Sequence, residues 1–106
     1  MASSRLEALR EMLNTDPENA LVRYGIASEL MKIENYEEAR AALLKYLSMH
    51  EDEGAAYRLL ATANLKLGQV DEARAAYRRG MKVALKHNHP SMAAEYEMAL
   101  DDLNDM

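Results

Sequence analysis

The sequence predicts an all-α fold, an array of antiparallel helix hairpins with about six helices. Three observations predict it. The string Glu-Ala-Arg-Ala-Ala starts at residue 38 and again at residue 72, an offset of 34, and a fixed period of that size marks stacked repeats. The composition is rich in Ala, Leu, Met, Glu, Lys and Arg, which are good helix formers, with four Gly, two Pro and neither Phe nor Trp among 106 residues. The connections between apolar-periodic segments are short, so consecutive helices should pair antiparallel.

The register extends past the repeated string. Ile26-Ala27 aligns with Leu60-Ala61, Met31-Lys32 with Leu65-Lys66, Ile33 with Leu67, Glu37 with Asp71, and Leu47 with Met81. The chain is read as a single domain over 1–106. It comprises a half-repeat helix at 4–17, a first repeat at 18–53, a second at 54–87 and a capping helix at 88–106.

The first helix, 4–14, opens on a capping box from Ser4 to Glu7 and carries Leu6, Leu9 and Leu13 on one stripe. Asp16 is expected to cap the second helix, 18–33, with Pro17 in its first turn, where no backbone donor is needed. Val22, Ile26, Ala27, Leu30 and Ile33 form its apolar face. Glu34-Asn35 is a turn, and a left-handed backbone at Glu34 would cost about 1–2 kcal/mol. The third helix, 36–48, is expected to bury Tyr36, Ala39, Leu43 and Leu47. A polar turn from His50 to Gly54 follows. The pattern then recurs: 54–67 with Tyr57, Leu60, Ala61 and Leu67, a turn at Gly68-Gln69, and 70–86 with Val70, Ala73, Tyr77 and Met81. His87-Asn88-His89-Pro90 breaks the chain before a last helix, 90–103, with Met92, Tyr96, Ala99 and Leu103.

These 34-residue units resemble the tetratricopeptide repeat. The large-then-small pairs Ile26-Ala27 and Leu60-Ala61 match the family's first helix. Ala39 and Ala73, each followed one turn later by Leu43 or Tyr77, match its second. The chain also departs from the pattern. The family's early aromatic is kept as Tyr57 but is Arg23 in the first unit. Its turn glycine is kept as Gly68 but is Glu34 in the first unit. Its late small residue is Gly80 in the second unit but Tyr46 in the first, and its closing proline occurs only as Pro17. The resemblance implies a right-handed α-solenoid. It also implies a concave groove, lined by the first helix of each hairpin, that binds peptides or helices of other proteins. Stepping along those helices by three and four residues assigns the groove to Leu21, Tyr24, Ser28, Met31 and Lys32, and to Ala55, Arg58, Thr62, Leu65 and Lys66. That set holds three cations and no anion, in a chain of net charge −5, so an acidic segment with apolar anchors is the expected ligand. Some family members clamp the C-terminal carboxylate of heat-shock chaperones with Lys and Asn. Here Tyr24, Ser28 and Leu59 stand at the matching places, which argues against that mode.

Other chemistry is sparse. There is no cysteine, hence no disulfide, thiolate ligand or thiol nucleophile. No phosphate-binding glycine loop and no nucleophile motif is present, so no enzymatic activity and no cofactor are expected. His87 and His89 offer an alternative as a weak metal site, without accompanying ligands. No apolar run is long enough to span a bilayer, and residues 1–7 lack the pattern of an export leader. The expectation is a cytoplasmic protein that does not bind membranes.

Charge is blocked along the chain. Residues 54–87 hold seven basic and two acidic side chains, while residues 88–106 hold five acidic and no basic ones. Arg74, Arg78, Lys82 and Lys86 step by four along one helix, as do Glu97, Asp101 and Asp105 along the next. The acidic neighbour argues against nucleic acid as the partner and for pairing between these helices, in one chain or between copies. Repeats of this kind cannot bury both faces alone, so homo-oligomerisation through the same surfaces is a second reading of function. Arg40, like Arg74 within the repeated string, is expected to be solvated.

Overall fold

The computed structural model describes residues 4–105; Met1, Ala2 and Ser3, read above for a leader, and Met106 lie outside the described residues. Six α-helices, and no strand among the described residues, make up the fold: α1 (Ser4–Thr15), α2 (Ala20–Lys32), α3 (Tyr36–Met49), α4 (Ala55–Lys66), α5 (Val70–Lys86) and α6 (Pro90–Asn104). The chain divides into two compact units between Glu51 and Asp52.

In the first unit, α2 packs against both α1 and α3. Leu6, Val22, Ile26, Leu30 and Ala39 form the core, flanked by Leu9, Leu13, Met31 and Ala42. Ala27 and Ala39 are fully buried, as expected where two helices approach closely. An ion pair from Arg10 to Glu38 joins α1 to α3. The starts of the helices differ from expectation. Ser4 lies inside α1 rather than ahead of it. The cap of α2 is Asn19, whose Oδ1 accepts from the Val22 N–H at 3.1 Å; Asp16 instead accepts from Asn19 Nδ2 at 3.3 Å. Pro17 sits in the preceding turn, and its carbonyl takes two bonds from Arg23, at 3.1 and 2.7 Å. Arg23 thus ties down the turn where the family pattern has an aromatic.

The second unit is an alanine-lined hairpin, α4 on α5, with α6 laid against α5. Asp52 starts α4: its Oδ2 accepts from the Gly54 and Ala56 N–H groups at 2.8 and 2.9 Å. Tyr96 locks the three helices together. It is 1% exposed, and its hydroxyl donates to the Gly54 carbonyl at 2.6 Å. Its ring lies where a side chain at Gly80 would be: a Cβ there would stand 2.6 Å from Tyr96 Cε2 and 2.9 Å from Tyr57 Cβ. The solvated role expected of Arg74 is corrected by its bonds to Asn104 Oδ1 at 3.2 Å and to the Leu103 carbonyl at 3.4 Å. It meets the electronegative C-terminal end of α6.

Three helices end in the same way. After α2, Asn35 N–H donates to the Leu30 carbonyl and Glu34 N–H to Met31. After α4, Gln69 donates to Asn64 and Gly68 to Leu65. After α5, His89 donates to Ala84 and Asn88 to Leu85. This six-to-one and five-to-two pattern needs a left-handed residue just past the helix. Glu34 (φ 60°), Gly68 (φ 77°) and Asn88 (φ 62°) supply it. The motif also explains Ile33 and Leu67, expected on apolar faces: each is the residue at which its helix ends, and both are exposed. Tyr36, Leu47, Val70, Tyr77, Met81, Met92 and Ala99 are only half-buried.

Two substitutions test this packing. Glu34→Gly relieves the left-handed strain but loosens the unfolded chain, for an expected net gain of about 0.5–1 kcal/mol in urea unfolding; no gain would show that Glu34 is unstrained. Gly80→Ala should cost about 1–3 kcal/mol by forcing Tyr96 from its seat, and an unchanged midpoint would contradict that packing.

Candidate binding surface

The ten side chains assigned from the sequence divide between α2 in the first unit and α4 in the second. On α2, Leu21 is 84% exposed. Tyr24 is half-buried, its ring edge-on to Tyr46 with centroids 5.4 Å apart, and Tyr46 in turn lies 5.4 Å from the His50 ring. The bulky residue at position 46 is therefore the base of an aromatic stack. Ser28 is half-buried. Met31 packs against the core of its unit. Lys32 Nζ lies 2.9 Å from Glu29 Oε2, with Arg5 Nε at 3.8 Å from the same oxygen. Glu29 is a buried acid, which requires cationic partners. Its sequence signal was the i,i+3 spacing to Lys32, masked by its position among Ile26, Ala27 and Leu30.

On α4, Ala55 and Leu65 are half-buried and Lys66 is exposed. The Thr62 hydroxyl donates back to the Arg58 carbonyl at 3.0 Å. Arg58 Nη2 meets Glu95 Oε2 of α6 at 2.6 Å, and its Cζ lies 5.6 Å from the centre of the Tyr96 ring. Beside it, burial pushes the Tyr77 hydroxyl pKa above its usual value, with the Arg58 cation pulling the other way. The sequence showed three cations without an anion; the fold sets Glu29 against Lys32 and Glu95 against Arg58. Among the described residues no ion pair includes Lys66.

The alternative metal site is arranged differently. His89 Nε2 lies 2.7 Å from Glu53 Oε1, and among the described residues no three His, Asp or Glu side chains come together as a metal-holding group. No helix among them is long and apolar enough to cross a membrane.

The sequence profile of the tetratricopeptide repeat matches residues 24–81, more than half of the chain. The chain belongs to the tetratricopeptide repeat family. Proteins built from tetratricopeptide repeats generally mediate protein–protein contacts and act as non-enzymatic scaffolds. The TPR repeat-containing protein PA0015 of Pseudomonas aeruginosa is 28% identical over 95 residues, covering 90% of this chain and 89% of its own. The solution structure of protein BPP2914 from Bordetella parapertussis superposes with a TM-score of 0.84 at 21% identity, covering 97% of this chain and 90% of its own. That likeness shows the helical repeat fold.

Proposed function

We propose that this tetratricopeptide repeat chain is a non-enzymatic binding module for a peptide or helical segment of another protein. The segment lies along the exposed positions of α4 and carries carboxylates beside apolar side chains. The observation that carries this reading is the state of Arg58. It is exposed, held over the Tyr96 ring, and bonded to a carboxylate of its own chain. A partner's acid exchanged for Glu95 would keep the same charge-assisted bond. Leu65, half-buried on α4, offers apolar area for an anchor, and Lys66 offers a second cation. The absence of cysteine suits a reducing cytoplasmic setting.

Site-directed cross-linking tests the proposal. A photoreactive side chain at Thr62 should capture a protein from host extract, whereas one at Ala75, exposed on α5, should not. Combining the Thr62 probe with Arg58→Glu and Lys66→Glu should lower the yield about tenfold or more, because like charges now face the ligand. Undiminished capture by the folded variant would contradict the assignment.

A further inference from the structure

Arg58 already holds a carboxylate before any ligand arrives. Its Nη2 lies 2.6 Å from Glu95 Oε2, and both side chains reach water, at 48% and 62% exposure. The bond spans 37 residues and joins α4 to α6. It engages one nitrogen of the guanidinium, and among the described residues Arg58 enters no other ion pair.

The pair is not what keeps α6 in place. Tyr96 is 1% exposed and its hydroxyl donates to the Gly54 carbonyl at 2.6 Å. Arg74 bonds to Asn104 and to the Leu103 carbonyl at the far end of the helix. An exposed ion pair adds little to such packing. Its effect falls on Arg58 itself. Glu95 is one residue from the buried Tyr96, so its carboxylate stays beside the guanidinium at the high local concentration of a tethered group. Rotation of the Glu95 side chain into solvent releases Arg58 with α6 unmoved.

Resting on the α4 binding reading above, we propose that Glu95 is an intramolecular competitor: it occupies Arg58 as a ligand carboxylate would, and so sets a threshold for binding. A lone carboxylate gains nothing by the exchange, since one charge-assisted bond replaces another. A segment that also reaches Leu65 and Lys66 makes contacts that Glu95 does not, and displaces it. The site thereby rejects free acids and isolated acidic side chains. It selects segments in which carboxylates stand beside apolar residues.

Fluorescence anisotropy on the full chain tests this. The probe is a labelled helical peptide of Glu and Leu, and the control is the same peptide with Gln for Glu. Glu95→Gln keeps the side chain's shape and removes its charge. It should tighten binding of the Glu peptide about two- to fivefold, the range of an exposed ion pair, and leave the Gln peptide unchanged. The gain should vanish in an Arg58→Gln background and shrink as salt rises. Glu97→Gln removes an exposed acid of the same helix, changes net charge equally and should give a much smaller gain. Each variant is confirmed folded by circular dichroism. Equal gains from Glu95→Gln and Glu97→Gln would overturn the competitor and leave the binding reading standing. So would no gain from Glu95→Gln while the wild type binds through Arg58. Failure of the wild type and of Glu95→Gln to bind the Glu peptide at all would overturn both.

Discussion

Two helices can approach closely only where neither presents a bulky side chain, and both units depend on that constraint. Ala27 and Ala39 meet it in the first unit, and Ala61 and Ala73 in the second, all without exposed surface. Gly80 takes it to the limit. The space its missing side chain leaves is filled by the ring of Tyr96, whose hydroxyl then reaches the backbone at the start of α4. One aromatic residue thus contacts all three helices of its unit. A buried hydroxyl on a buried carbonyl adds specificity, because losing either partner strands the other at a cost of about 1–3 kcal/mol.

That packing also sets the electrostatics. Seating Tyr96 brings the preceding residue, Glu95, to Arg58 and holds the guanidinium above the ring. It fixes the register in which Arg74 meets the end of α6. The pairing of Arg58 with Glu95 and the anchoring of Arg74 therefore follow from one glycine–tyrosine contact.

Much of this was legible in the sequence. The 34-residue period, the paired alanines and the bounds of α5 follow from local pattern. What escaped lay in tertiary contacts and in caps. Asp16 and Asn19 are both good caps; the bonds from Arg23 to the Pro17 carbonyl hold the chain out of the helix until Asn19. Ile33 and Leu67 continue the apolar pattern, yet the left-handed residue after each turns the chain away. The balance of charge was the larger omission. Glu95 lies 37 residues from Arg58 and joins it only because α6 folds back, so no spacing rule along one helix finds it. Glu29 hid among apolar neighbours on its own helix.

The most direct test of this account is native-state hydrogen exchange on Tyr96→Phe, which keeps the ring and deletes the hydroxyl. If Tyr96 couples the helices, amide protection should fall together along α6 and at Gly54 and Ala56, where Asp52 caps α4, as one cooperative element. Loss of protection confined to α6, with Gly54 and Ala56 unchanged, would contradict it.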